Sequence, residues 1–475
     1  MKMKISSSNP INQKDSTTKF EEDKKTNLDN YIIDNNNMNN NNKNIINKIS
    51  DIDNINNIKD KEIFGESIEE EIKEPVEQMN FDKKLSSDFK RLTSVNKRTS
   101  LITLNSIIKH EDLIKSYKVK VPKSIIKDQI INLESQLFSL MNIEYEKEII
   151  YEDFVLVNNN EDYYVHLLRT ANLNPNKENF LLIHGFLSSS THFLSILPFL
   201  LQRYNVFIPD IIGMGLSSRP QVEFDSPEHC ENYFIEMIYI LVKKIIFSGN
   251  YNIKKDYYIG GHSLGGFMVS HFILKYPKGI KKVLLLSAAG ITNYHIKGTD
   301  IHKESGKLFG CMMSMLGFCW ACKPRVQCCY KWCCCKKLIQ SFMETYSITI
   351  DKEFIKKKKQ DGSDFIINID KINYILGQLS KLTLDFPDDL YKCMYYIFTV
   401  PPPASINPVE LQLLHNSKLQ CIFIYGENDW MDRTGALRLC QCDRERFKLY
   451  IIRNAGHSFA MEKPRELINI LQIYF

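Results

Sequence analysis

The chain has 475 residues, a formal net charge of +5 and a hydrophobic share of 44%. This length and composition allow one large folded domain with appendages, and the small positive charge argues against nucleic acid as a partner. The sequence contains no apolar run of about 20 residues and no apolar signal-peptide core near its first residue, so we expect a cytoplasmic protein without a membrane-spanning helix.

The first part of the chain has the composition of a disordered region. Residues 1–85 are rich in Asn, Lys, Ile and Asp and poor in aromatic residues, so they cannot bury enough apolar surface to offset the entropy of ordering. Residues 86–127 alternate basic and apolar groups without a clear period and are predicted to form a poorly ordered bridge. An amphipathic helix is predicted for residues 128–141, where the folded part should begin.

Strand patterns and helix-like runs then alternate. The predicted strands cover residues 148–157, 163–168, 180–184, 205–209, 256–260, 282–287, 419–425 and 447–452. Such alternation is typical of an α/β fold with a mostly parallel sheet and helices on both faces. Residues 291–415 interrupt it, which divides the predicted core into residues 128–290 and 416–475.

The most informative motif follows the fifth of these strands. Gly261-His262-Ser263-Leu264-Gly265 fits the G-x-S-x-G nucleophile elbow and lies between a strand pattern and a helix pattern. A serine at such a turn has its hydroxyl held above the sheet, and the two glycines allow the backbone to double back. Ser263 is therefore the candidate nucleophile. The N–H of Leu264, at the helix start, is one candidate donor to an oxyanion.

A second candidate oxyanion donor comes from the strand that breaks at His184-Gly185. The N–H of Phe186, which follows this glycine, would complete the oxyanion hole with Leu264. His184 could itself be catalytic, but hydrogen bonding that shapes the loop is favoured. The glycine-rich turn at residues 210–217 is predicted to be structural, because no Gly-Lys-Ser/Thr follows it.

The acid and the base are expected after the last two strands. Asp429 and Asp432 follow strand 419–425, and His457 follows strand 447–452 after Gly456. His457 is the candidate general base, and either aspartate could orient its ring. This chemistry requires no metal and no organic cofactor.

These motifs, in the order Ser, Asp, His, together resemble the α/β-hydrolase superfamily. Finer features resemble one lipid-acting branch, which includes lysophosphatidic acid acyltransferases, N-acyl phospholipid lipases and the lipid-droplet lipase coactivator. These features are the helix pattern at residues 128–141 before the first strand and the stretches 261–277 and 424–431. The resemblance covers residues 128–475, with a divergent middle. It implies an α/β-hydrolase fold with a helical cap inserted after strand 6, a lipid or acyl-ester substrate, and carboxylic-ester hydrolysis.

Details of the branch refine these expectations. The coactivators have lost the serine, so the presence of Ser263 favours a working hydrolase over the alternative, a non-catalytic lipid-binding regulator of a lipase. The branch carries a His-x4-Asp motif associated with acyl transfer. Here the motif begins at His457, but Glu462 stands at the position of the aspartate, so hydrolysis is the firmer expectation. Asp429 matches the usual Gly-x-x-Asp loop and is favoured, while Asp432 matches the position that some members use.

A cysteine-rich segment distinguishes the insert. Eight of the thirteen cysteines fall within residues 311–335, among aromatic and basic residues. Disulfides are disfavoured in a reducing compartment, and adjacent doublets and triplets suit a tetrahedral metal site poorly. S-acylation with contact to a membrane surface is favoured over a metal site and over an unmodified loop. We therefore expect a peripheral membrane or lipid-droplet location.

Overall fold

The computed structural model describes residues 119–120, 124–157, 160–292, 356–358, 364–366, 368–385, 390–398 and 406–475. The predicted disordered region, residues 1–85, and the cysteine-rich segment, residues 311–335, lie outside the described residues. The bridge and the insert are described only in part.

An eight-stranded mixed sheet forms the centre of the fold. Its strands are β1 (Ile149–Val157), β2 (Asn160–Thr170), β3 (Glu178–Ile183), β4 (Tyr204–Pro209), β5 (Tyr257–His262), β6 (Ile280–Leu286), β7 (Cys421–Gly426) and β8 (Phe447–Ile452). Their spatial order is β8-β7-β6-β5-β3-β4-β2-β1, in which β2 alone runs in the direction opposite to the other seven strands. The predicted mostly parallel sheet is thus confirmed.

Both faces of the sheet are covered. On β7, Ile422 and Ile424 belong to a core cluster that includes Leu137, Leu200 and other apolar side chains from helices. Neighbouring residues of this strand point to the opposite face, and they are equally buried. A strand buried on both faces must be apolar throughout, which explains why its sequence shows no alternation.

The helices are α1 (Ser124–Leu140), α2 (Leu197–Arg203), α3 (Pro227–Val242), α4 (Leu264–Lys275), α5 (Ile369–Asp385), α6 (Met394–Ile397), α7 (Glu410–Asn416), α8 (Thr434–Cys442), α9 (Phe459–Glu462) and α10 (Pro464–Tyr474). None of these helices is both long and apolar enough to cross a bilayer, within the residues that the structure describes. Short 3₁₀ turns occur at Ser190–Phe193 and Leu390–Cys393.

The first helix begins four residues earlier than the sequence pattern predicted. Helix α1 starts at Ser124, inside the predicted bridge, rather than at residue 128. Ile126 packs against the core cluster, and Lys127 Nζ lies 2.6 Å from Asp153 Oδ2 on β1. These tertiary contacts extend the helix beyond the part that hydrophobic periodicity marks.

Helical segments follow β6 in the described part of the predicted insert. Ile372 and Ile375 on α5 are buried in the same core cluster as side chains of α1, and the two helices pack together. The described part of the insert is therefore anchored to the helical layer. Its role as a roof over an acyl pocket stays a prediction.

Candidate active site

Ser263 occupies a strained turn between β5 and α4. Its backbone φ of 54° and ψ of −116° lie in a region that non-glycine residues rarely adopt. The Ser263 N–H donates to the Leu286 carbonyl at 3.0 Å, and the Ser263 carbonyl accepts from Ala289 N at 3.2 Å. Contacts to the end of β6 thus hold the serine in this conformation at the carboxyl edge of the sheet.

The two outer glycines of the motif are required by close backbone approach. A Cβ atom on Gly261 would lie 2.3 Å from the Gly265 carbonyl oxygen, and one on Gly265 would lie 2.3 Å from the Ile183 oxygen. Neither distance leaves room for any side chain. The elbow geometry expected from the sequence is therefore the geometry that the chain adopts.

His457 is paired with Asp429. Nδ1 of His457 donates to Asp429 Oδ1 at 2.8 Å, and both side chains are buried. Asp429 also accepts hydrogen bonds from the Ser287 hydroxyl and from Met431 N. Burial raises the pKa of Asp429, but the hydrogen bond and charge of His457, with the other donors, outweigh burial and lower this pKa below its usual value.

Asp432, the alternative acid, has other partners. Its carboxylate accepts from the Thr434 N–H at 2.8 Å and from the Thr434 hydroxyl at 3.1 Å, at the start of α8. Of the two aspartates, the structure places Asp429 on the ring of His457. The side of the ring that faces away from Asp429 carries Nε2, which is buried and has no hydrogen-bond partner among the described residues.

The loop after β3 lies directly beside the nucleophile. A Cβ atom on Gly185 would lie 3.1 Å from Ser263 Cβ. The loop and the elbow are therefore in close contact at Gly185, and Phe186 is the next residue of the loop. Within the described part of the chain, neither the N–H of Phe186 nor that of Leu264 donates a hydrogen bond. Both N–H groups are thus available to an oxyanion.

Two features near this loop have the structural roles that the sequence predicted. His184 Nδ1 donates to the Gly185 carbonyl at 2.8 Å, and His184 Nε2 accepts from Ile211 N at 2.9 Å, so this ring shapes the loop. Asp210 accepts from Ser190 N and Leu216 N and closes the glycine-rich turn. Both predictions are confirmed.

A family model for the alpha/beta hydrolase fold matches residues 178–309. This stretch contains β3, the elbow and β6, and the strand order of the whole sheet agrees with the match. The chain therefore has an α/β-hydrolase fold. The resemblance to this superfamily that the sequence motifs indicated is confirmed.

Several relatives of this α/β-hydrolase bear out its resemblance to the lipid-acting branch. A 1-acylglycerol-3-phosphate O-acyltransferase from Arabidopsis thaliana is 22% identical over 347 residues, which cover 71% of this chain and 78% of the relative. Lipase 1 from Psychrobacter immobilis is 30% identical over 124 residues, or 26% of this chain and 36% of the lipase. The abhydrolase domain-containing protein abhd-5.2 from Caenorhabditis elegans is 34% identical over 109 residues, 23% of each chain.

Sequence reasoning missed three residues that touch the acid and base of this α/β-hydrolase. Ser287 follows β6 with a φ of 43° and binds Asp429, a role signalled only by its place at the carboxyl end of a predicted strand. The Trp430 ring lies 4.6 Å from the His457 ring although 47% of this tryptophan is exposed. His262 donates to the His457 carbonyl. No group of three or more metal-ligating side chains occurs in the described ranges.

Proposed function

We propose that this α/β-hydrolase is a serine hydrolase that acts on acyl esters of lipids. The observation that carries the proposal is the meeting, at one edge of the sheet, of a strained serine, a histidine paired with a buried carboxylate and two free N–H groups. Ser263 is the nucleophile, His457 the general base and Asp429 the residue that orients the base. Phe186 and Leu264 supply the oxyanion hole.

In the acylation step, Ser263 Oγ forms a bond to the acyl carbon while its proton moves to His457 Nε2. Asp429 holds the proton of the ring on Nδ1, so Nε2 has its lone pair free to accept. The bond to the leaving alcohol then breaks, and the alcohol takes the proton from His457. Water next attacks the acyl-enzyme by the same steps in reverse order, which releases a fatty acid and restores Ser263.

Negative charge on the acyl oxygen requires stabilisation during both steps. The N–H of Leu264 opens the twelve-residue helix α4, so the positive end of the helix dipole adds to the hydrogen bonds from Leu264 and Phe186. Removal of one such donor commonly costs about 10²–10³ in kcat. The oxyanion hole would thus supply a large share of the rate enhancement.

Lipid esters are the proposed substrates because of the relatives. The plant acyltransferase, whose name describes a glycerophospholipid, aligns with 71% of this chain, and a bacterial lipase aligns with 26% of it. Acyl transfer is the second candidate function, and the extent of the plant match favours it. In that reaction the hydroxyl of a lysophospholipid replaces water in the second step, and its proton passes to His457 and then to Ser263.

We also propose that the cysteine-rich segment, residues 311–335, attaches the protein to a membrane or lipid droplet. Thioester-linked acyl chains on two or more cysteines would give stable anchoring, at about 0.8 kcal/mol per buried CH₂. Replacement of the eight cysteines by serine should move the protein to the soluble fraction. Membrane association that persists after this replacement would contradict the anchor.

The experiment that tests the proposed activity is product analysis with purified protein. Phospholipids and acylglycerols with labelled acyl chains are supplied with and without a lysophospholipid acceptor, and free fatty acid and new phospholipid are quantified. We expect fatty acid release that Ser263→Ala abolishes, and acylated acceptor if transfer occurs. The matched control, Ser270→Ala on the following helix α4, should retain turnover. Absence of both products over the whole panel would favour the non-catalytic regulator instead.

A further inference from the structure

His262, the first of the two variable residues of the elbow motif, has no part in the proposed proton transfers, yet it is 2% exposed and surrounded by other imidazoles. Its ring stacks on that of His192, with centroids 4.1 Å apart and an angle of 26° between planes. On another side, the His457 ring lies 4.7 Å away at an angle of 50°. One buried ring thus connects the segment after the oxyanion loop to the loop of the base.

The polar atoms of His262 also face the two loops that flank Ser263. Nε2–H of His262 donates to the carbonyl oxygen of His457 at 2.9 Å. Nδ1 is therefore unprotonated in the neutral ring, and a Cβ atom on Gly185 would lie 2.9 Å from it. The residue directly before Ser263 touches the oxyanion loop through Gly185 and the backbone of the base through its hydrogen bond.

The surroundings keep this ring neutral. Burial, and then the nearness of His192 and His457, hold the pKa of His262 well below its usual value. Burial likewise lowers the pKa of His192 to about 3, with His184 and His457 contributing. The Asp429 carboxylate accepts a hydrogen bond from Nδ1 of the His457 ring. The Glu462 carboxylate accepts one, at 2.6 Å, from the N–H of Gly456, the residue before His457. Positive charge can therefore develop on His457 without repulsion from His262.

We propose that His262 is a positioning residue that sets the distance of His457 and of the oxyanion loop from Ser263, an inference that rests on the proposed function. The hydrogen bond to the His457 carbonyl fixes the base loop, and the ring edge against Gly185 fixes the oxyanion loop. Both act on the same strained turn. Misplacement of reacting groups by about 1 Å can cost on the order of 10² in rate, so the effect should appear in kcat.

The test uses three substitutions of one residue. In His262→Gln the amide nitrogen lies near the position of Nε2 and can still donate to the His457 carbonyl. In His262→Leu the volume is kept but the donor is lost, and in His262→Asn the amide is too short to reach. Active sites are counted by fluorophosphonate labelling, and kcat and KM are measured for a short, soluble p-nitrophenyl ester.

We expect His262→Leu and His262→Asn to lower kcat per labelled site by about 10- to 100-fold with KM changed less than about twofold. His262→Gln should recover kcat to within about threefold of the parent. A purely structural role would lower melting temperature and the number of labelled sites but not kcat per site. The matched control is His271→Leu, at a buried histidine on α4 that pairs with Glu231 outside the site. This control should keep kcat per labelled site.

The possible results separate the two claims. Parent kcat per site in His262→Leu, or a Gln variant as slow as the Leu variant, would overturn the positioning role. If the Leu variant fails to fold, the Gln and Asn variants are compared instead, and equal kcat per site in these two variants would overturn the positioning role. A parent protein that takes no label would instead overturn the proposed function itself.

Discussion

Asp429 and Asp432 are three positions apart but differ in what each carboxylate binds. The Asp429 side chain is fully buried against His457 and Ser287, whereas the Asp432 carboxylate bonds only to Thr434 at the start of α8, as far as the described residues show. Sequence reasoning favoured Asp429 without deciding the matter. The choice depends on how the loop after β7 turns, and the strand pattern does not encode that turn.

Substitution of the two aspartates should therefore have unequal effects. Asp429→Asn should lower kcat by about three to four orders of magnitude, because an amide no longer fixes the tautomer of His457. Asp432→Asn should change kcat less than about twofold, since asparagine can accept the same hydrogen bond from Thr434 N. Steady-state kinetics on a soluble ester measure both variants. Equal losses would show that Asp432 has a part in orienting the base.

Glu134 on α1 has a buried carboxyl group that lies near the carboxylate of Asp210. It is 2% exposed, and its neighbours are Asp210 beyond β4 and Tyr151 on β1. Burial and the Asp210 charge raise the pKa of Glu134 well above its usual value, although the Tyr151 hydroxyl opposes this. Between the ordinary pKa of glutamate and this raised value, the folded protein therefore binds a proton here that the unfolded chain has released.

The raised pKa of Glu134 makes the free energy of unfolding depend on pH. Because the folded-state pKa of Glu134 is raised, the free energy of unfolding should fall as pH rises above about 4.3, the ordinary value for glutamate, until the folded-state pKa is passed. Glu134→Gln should remove this loss, so its stabilising effect should be larger at pH 8 than at pH 5 in urea titrations. The exposed Glu144→Gln serves as control. A Gln effect independent of pH would contradict the buried, protonated carboxyl.

At the level of elements, the turn from β5 into α4 depends on the absence of side chains. Gly261→Ala would place Cβ against the backbone of Gly265, which cannot shift without displacing the elbow. We expect a clear drop in melting temperature and in kcat. The control is Gly377→Ala within α5, where an added Cβ meets nothing within 4 Å. Alanine there should be neutral or should stabilise by about 0.5–1 kcal/mol. A Gly261 variant with parent stability would contradict the elbow packing.

At the scale of the whole molecule, the sequence was sufficient for the parts that repeat a local pattern. The apolar runs of β3 and β7 and the elbow glycines predicted the sheet and the position of Ser263. The early start of α1 and the contact of Ser287 with Asp429 were not predictable, because both depend on side chains that meet across 26 and 142 positions of the chain. Local periodicity carries no information about such pairs.

The most direct test of the central claim is the site of covalent labelling. Full-length protein is treated with a fluorophosphonate, and the adduct is located by mass spectrometry of proteolytic peptides. We expect one adduct per chain, on Ser263, with loss of labelling in Ser263→Ala and retention in Ser270→Ala. Labelling that persists in the Ser263 variant, or a folded parent protein that takes no label, would contradict a serine hydrolase built on this elbow.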